Sequence, residues 1–167
     1  MSDEEIDRKI AVIFATDVVG YSKHMETDES ETVKNLRACE KVLMELFDKH
    51  KARLFNTGGD SFLAEFPSAV SAVECASEFQ RQLSEFYSQN DLEIKLKFRV
   101  GIHMGDVIKE KRNLLGDGVN IAARLEALAQ PSGVTISKSI FDLVNGKVDL
   151  SCLLYTSDAA DDLLCVD

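Results

Sequence analysis

Residues 55–66 read FNTGGDSFLAEF, and the reading of the whole chain turns on them. Two glycines, Gly58 and Gly59, precede a single carboxylate, Asp60, and an apolar run follows at once. Adjacent glycines permit the positive φ of a two-residue hairpin. The stretch therefore predicts a short strand at 53–55, a tight turn, and a second strand at 61–66 that Pro67 stops. Asp60 then sits at the mouth of a strand on a rigid turn, where a carboxylate is a candidate metal ligand. Taken alone, a GGD triplet favours the simpler reading of a turn aspartate bonding its own backbone. What decides between them is whether the chain brings partners to the same place.

Upstream, residues 10–15 (IAVIFA) form a continuous apolar run that ends in Thr16 and Asp17. Their number and β-branching predict a central strand buried on both faces. Asp17 falls at its carboxyl end, and Gly20 turns the chain just after. Residues 28–51 predict a helix with Asp28 as its cap and Glu31 completing a capping box. Val33, Leu36, Leu43, Leu46 and Phe47 give it an apolar stripe ending in His50, which reads as structural because no second ligand lies at helical spacing. Downstream, Ser68 caps a helix to about residue 89 whose Ala69, Ala72, Val73, Ala76, Phe79 and Leu83 face a core. Residues 94–103 (IKLKFRVGIH) alternate with period two, as a half-buried strand does, and Gly105-Asp106 is expected to turn the chain into another strand at 107–110. A glycine-rich turn and helix follow at 114–130, a short strand at 134–136 and a last short helix at 139–144.

The order strand, helix, strand, strand, helix, strand is the split βαβ, ferredoxin-like arrangement, an α+β fold with an antiparallel core sheet and helices on one face. In it the first and third strands lie side by side and antiparallel. The carboxyl end of one adjoins the amino end of the other, so Asp17 and Asp60 converge at one end of the sheet. Two carboxylates with water and ligand phosphates are what Mg²⁺ takes, since it wants hard oxygens and keeps open positions. This convergence favours metal binding over two independent turn aspartates.

The composition narrows the function classes. The chain has 167 residues, enough for one domain with a substantial core. Its net charge of −10 and pI of about 4.8 argue against nucleic-acid or anionic-membrane binding. The four cysteines (Cys39, Cys75, Cys152, Cys165) lack CxxC spacing, and Cys39 and Cys75 fall in helical patterns, so a reducing, cytoplasmic setting is expected. The acidic start MSDEEIDRK is no signal peptide, and no apolar run is long enough to span a bilayer.

Four segments in order, FATDVVGYS, NTGGDSFLAEFPSAVSAVECA, FRVGIHMGDV and LLGDGVNIAARLEALAQPSGVTIS, carry a resemblance over about residues 9–146. The chain resembles the catalytic domain of class III adenylate/guanylate cyclases. The resemblance implies formation of a 3′,5′-cyclic nucleotide from a nucleoside triphosphate, with release of pyrophosphate. It implies two Mg²⁺ or Mn²⁺ ions per site, held by Asp17, Asp60 and the carbonyl of Val18. It sets the turn around Gly20, Tyr21 and Ser22 near the triphosphate and Arg99 on phosphate oxygens. Asn120 and Arg124, at i and i+4 on one helix face, match the pair that orients the ribose and stabilises charge at the α-phosphate. The family works as a dimer with sites at the interface, and this chain carries both halves of the residue set, so a homodimer is implied.

The chain also departs from the family. Asn56 and Asn113 stand where its members select the base, and an asparagine amide offers both donors and an acceptor. They leave ATP and GTP open, with ATP favoured by prevalence. The domain is expected to span 1–150, incomplete at its C-terminal end, with 151–167 (SCLLYTSDAADDLLCVD) outside the family as a read-through tail that leaves the sheet edge unfinished and lacks the family's phosphate lysine. Two other readings stand beside a cyclase: a catalytically weak or inactive cyclase-like module for nucleotide binding or dimerisation, and a diguanylate cyclase, whose GGDEF signature GGDSF approaches but for Ser61.

Overall fold

The computed structural model describes residues 6–150, and the backbone alone of 153–156 and 163–166. Strand β1 (Asp7–Val18) runs through the centre of the sheet. Residues 11–16 are all buried, the two-sided burial that its unbroken apolar run requires. Antiparallel to β1 on one side lies β3 (Ser61–Phe66), which pairs in turn with β2 (Arg53–Thr57). On the other side lies β4 (Phe98–Glu110), with β5 (Asn113–Leu115) folded back on it and β6 (Val134–Ser137) parallel to it. The order β2-β3-β1-β4 is the expected split βαβ core.

Five helices complete the described fold: α1 (Tyr21–Thr27), α2 (Glu29–Lys49), α3 (Ala69–Gln89), α4 (Asp117–Leu128) and α5 (Lys138–Val144). Asp28 caps α2 by accepting from the Glu31 amide at 3.1 Å, and Ser68 caps α3 by accepting from the Ser71 amide at 3.1 Å. Val12, Phe14 and Val18 on one face of β1 pack with α2, α3 and α5 in the larger core. There Phe14, Phe47 and Phe66 stack and abut with ring centroids 5.3 to 5.7 Å apart, each buried ring contributing about 1.5–3 kcal/mol. Cys39 and Cys75 are buried free thiols in these helices, as their pattern predicts. His50 is structural too: its Nε2 lies 3.1 Å from Glu78. The alternate residues Ala11, Ile13 and Ala15 face the other way and pack with Val119 and Ala122 of α4. That helix alone lies across the second face of the central strand.

Three local expectations give way. Gly105-Asp106 does not turn the chain. Both residues stay in β4, opposite Ala11 and Ile10, because β1 is long enough to pair β4 as far as Asp7↔Lys109. The reversal comes at Lys111, whose φ is 56°. The ladder also begins later than expected, at Phe98, where β1 ends. Ile94 and Leu96 are buried, but no strand faces them, and the Leu96 amide donates instead to the Tyr87 hydroxyl at 3.0 Å. Residues 21–27 form α1, where only a turn around Gly20, Tyr21 and Ser22 is expected. Beyond β6, the backbone of the tail adds β7 (Leu153–Thr156), parallel to β6, and β8 (Leu163–Val166), antiparallel to β7, so the sheet continues past the edge expected to be unfinished. The side chains of 151–167 lie outside the described residues. Among the described residues no helix is long and apolar enough to cross a membrane.

His103 lies on β4 opposite Ile13, with its Nδ1 buried and without a hydrogen-bond partner. Burial lowers its pKa, because the imidazolium loses solvation that nothing replaces. The folded state thus favours the neutral ring. Its contribution to stability is complete above the unfolded pKa of about 6.5 and is lost as pH falls through the lower folded value. Thermal melts at pH 7.5 and 5.5 are expected to show a loss of stability that His103→Gln flattens. An identical pH dependence in the variant refutes the assignment.

Candidate active site

The hairpin between β2 and β3 closes with the Gly58 amide donating to the Ser61 carbonyl at 2.9 Å. Gly59 has φ 77° and Asp60 does not share a positive φ. This is the pattern of a II′ turn, with glycine at its first central position. Asp60 therefore stands at the amino end of β3, as its sequence predicts. Asp17, near the carboxyl end of β1, is flanked across the ladders by Ser61 of β3 and Arg99 of β4. The two carboxylates come together.

Their electrostatics record the meeting. Burial raises the Asp60 pKa, the Asp17 charge adds to it, and Asp60's own amide, the Val18 amide and Arg99 oppose it. Arg99 grips Asp17 with two hydrogen bonds, Nε to Oδ1 at 3.1 Å and Nη2 to Oδ2 at 2.9 Å, and its Nη1 donates to the Ala127 carbonyl at 3.1 Å. That bidentate pair raises the arginine's own pKa further. Arg99, expected on phosphate oxygens, thus faces Asp17 directly.

A third carboxyl at this sheet end escaped the sequence reading. Glu126 of α4 is buried, its Oε1 3.8 Å from Arg99 Nη2. Burial, then a hydrogen bond to Asp17 and the charge of that neighbour, push its carboxyl up to about 9, while Arg99 pulls it back. One signal was available: Val119, Ala122, Glu126 and Ala129 recur at 3, 4 and 3 residues, so a glutamate occupies the apolar stripe. The helix approaches this closely because Gly101 has no side chain. A Cβ there would lie 2.3 Å from the Glu126 amide nitrogen and 2.5 Å from the Ala122 carbonyl.

The other matched residues are distributed around this centre. Asn120 and Arg124 are exposed, on the side of α4 away from the buried Ala122, Leu125 and Glu126. Among the described residues no hydrogen bond or ion pair ties either of them to Asp17, whose partner is Arg99. Gly20 (φ 65°) precedes α1, and Ser22 is exposed. Tyr21 packs its side chain on the larger core, which leaves its amide at the start of the helix. Asn56 lies opposite Leu63, which lies opposite Ala15, so it shares the sheet face of Asp17. Asn113 is half-buried, and its Oδ1 accepts from the Leu114 amide at 2.9 Å. The ends of β2 and β5 meet where Arg53 donates to the Arg112 carbonyl at 2.6 Å.

Among the described residues no three His, Cys, Asp or Glu side chains are arranged to hold a metal. What Asp17 and Asp60 offer is two carboxylates, with no sulfur or imidazole grouped with them among the described residues. An all-oxygen set that leaves room for water and phosphate fits Mg²⁺ or Mn²⁺.

Comparison with known proteins agrees with this chemistry. A profile of the "Adenylate and Guanylate cyclase catalytic domain" matches residues 3–158. "Putative adenylate cyclase 3" of Rhizobium meliloti is 44% identical over 151 residues, 90% of this chain and 26% of that protein. An "Adenylate cyclase" of Streptomyces coelicolor is 30% identical over 135 residues, 80% of this chain and 34% of that protein. The chain therefore spans about a quarter to a third of these relatives. The crystal structure of an "Adenylate/Guanylate Cyclase/Hydrolase" from Silicibacter pomeroyi superposes with a TM-score of 0.80 at 28% identity, covering 87% of this chain and 86% of that one. The chain belongs to the adenylate and guanylate cyclase catalytic domain family.

Proposed function

We propose that this chain converts ATP, and with lower preference GTP, to the 3′,5′-cyclic nucleotide and pyrophosphate. The ribose O3′ forms a bond to the α-phosphorus, the bond from that phosphorus to the bridging oxygen of pyrophosphate breaks, and the hydroxyl proton passes to solvent. The observation that carries the reading is the convergence of Asp17, Asp60 and Arg99 at one sheet end. Asp17, Asp60 and the Val18 carbonyl would hold two divalent ions, whose chemistry is to lower the pKa of the 3′-hydroxyl and neutralise the triphosphate. Arg99 and the amides of Gly20, Tyr21 and Ser22 bind phosphate oxygens, the latter being amides at a helix start with no carbonyl a turn below. Asn120 orients the ribose, and Arg124 stabilises the charge that develops at the α-phosphate. Asn56 and Asn113 face the base, and the relatives named as adenylate cyclases support ATP. The reaction serves second-messenger signalling in the cytoplasm, where buried free thiols such as Cys39 and Cys75 are at home.

The outward position of Asn120 and Arg124 supports a homodimer in which each site takes its aspartates from one copy and this pair from the other. The test is to incubate the purified chain with ATP or GTP and Mn²⁺ and identify the product by mass. Cyclic AMP is expected, cyclic GMP in lesser amount, and no cyclic di-GMP. Absence of any product favours a nucleotide-binding or dimerisation module. Asp17→Ala and Arg124→Ala are each expected to be inactive, whereas their mixture regains about a quarter of wild-type turnover, because half of randomly paired dimers hold one intact site of two. A mixture as inactive as its parts overturns the shared site.

A further inference from the structure

At the sheet end that holds Asp17, Arg99 faces more carboxyl groups than it serves. Arg99 commits Nε and Nη2 to the two oxygens of Asp17, at 3.1 and 2.9 Å, and Nη1 to the Ala127 carbonyl at 3.1 Å. Glu126 Oε1, in a residue only 7% exposed, has no hydrogen-bond partner, and the nearest cation is the same Nη2 at 3.8 Å. A buried carboxyl oxygen without a donor is costly, so its placement calls for a reason. Asp17 meanwhile has both oxygens covered. A guanidinium and a divalent cation compete for those oxygens, and Arg99 cannot keep its double grip while Asp17 binds an ion.

We infer that Arg99 is an internal latch on Asp17, and that Glu126 is the positioning residue which receives its guanidinium when Asp17 takes up a divalent cation. The inference rests on Asp17 and Asp60 being the metal ligands. The movement is short. Closing the 3.8 Å separation by about 1 Å makes a charge-assisted hydrogen bond, with the Ala127 carbonyl as the pivot. The exchange moves a single guanidinium from Asp17 to the Glu126 oxygen that has no donor, and it satisfies that oxygen as the first pair opens. The latch also keeps the aspartate from standing unpaired beside Asp60 before the ion arrives.

The test is a double-mutant cycle read by metal binding rather than turnover. The nucleotide-free chain of 167 residues is titrated with Mn²⁺, and free ion is followed by electron paramagnetic resonance. Glu126→Leu keeps the bulk of the side chain but offers no acceptor, and is expected to weaken Mn²⁺ binding about tenfold. Arg99→Met is expected to tighten it about tenfold. In the Arg99→Met background, Glu126→Leu is expected to change binding less than about twofold, since no guanidinium is left to receive. An equal loss in both backgrounds overturns the inference, because Glu126 then acts independently of Arg99. If Arg99→Met does not fold, Arg99→Lys serves: its single ammonium cannot span both Asp17 oxygens, so tighter Mn²⁺ binding than wild type is expected, and unchanged binding overturns the latch. Mn²⁺ binding that Asp17→Ala and Asp60→Ala both leave unchanged is a separate outcome, which overturns the metal-site reading itself.

Discussion

Asp17→Ala is expected to lower cyclase turnover by about a thousandfold or more while the chain stays folded. Metal-held phosphate and a metal-acidified hydroxyl together supply several kcal/mol of transition-state stabilisation, and each ~1.4 kcal/mol lost is tenfold in rate. As the proposed ligand, Asp17 has no nearby substitute: Glu126 is buried on α4, and Asp60 has its own place at the hairpin. The fold survives because the arginine left behind is not orphaned. Arg99 keeps the Ala127 carbonyl and has Glu126 within 3.8 Å, and the Asp17 side chain is itself a quarter exposed, so no large buried surface is lost. Product assays paired with thermal melts check both halves. Undiminished turnover in a folded Asp17→Ala sinks the metal assignment. A variant that fails to fold shows instead that the Asp17–Arg99 pair is structural.

Gly101→Ala is expected to be the most disruptive small change in the chain. The added methyl group meets backbone, not side chain: the Glu126 nitrogen at 2.3 Å, the Ala122 carbonyl at 2.5 Å and the Glu126 Cα at 2.8 Å. No rotamer relieves such a clash, so α4 must move off the sheet. Overpacking of this kind costs about 3 kcal/mol, which lowers the melting temperature by about 6–12 °C for a domain of this size. The displaced helix carries Asn120 and Arg124 with it. A misplacement on the order of 1 Å costs about a hundredfold in rate, so turnover is expected to fall by that factor even well below the melting point. Gly146→Ala is the control. Its φ is 81° with open space around the new carbon, so it costs about 1–2 kcal/mol of backbone strain and leaves turnover near wild type. A Gly101→Ala protein that melts and turns over like wild type shows that α4 has slack.

The convergence of Asp17 and Asp60 was legible because it follows from topology. Once 10–15 is a buried central strand and GGD a hairpin, the split βαβ order fixes which strand ends adjoin. The helix caps at Asp28 and Ser68 were legible for a similar reason, since the signal and the bond lie within three residues. What escaped depends on distant pairing. Gly105-Asp106 has the residue types of a turn, and only the length of β1, some ninety positions earlier, keeps the strand straight through them. Ile94 and Leu96 alternate like a strand but have no neighbour to pair with. Glu126 escaped because a glutamate on a helix is ordinarily solvated. Its burial follows from a glycine on another element, and neither stretch of sequence discloses that by itself. Asn56 and Asn113 were legible as positions and silent as to base, because an amide presents donor and acceptor alike.

The placement of β1 at the centre of the sheet has a cost in time. Asp17 and Arg99 lie 82 residues apart in the chain, and the whole of β1 finds half of its partners on β4. At synthesis rates of about 5–20 residues per second, β1 emerges roughly 4–16 s before Arg99 is made. Through that interval the hydrophobic run at 11–15 has β3, α2 and α3 to shelter it, and its β4 edge stays open. A nascent chain in this state is a substrate for chaperones and for its own neighbours on a polysome. The same geometry means that Asp17 gains its arginine only when β4 is laid down, and that Glu126 joins them later still, with α4.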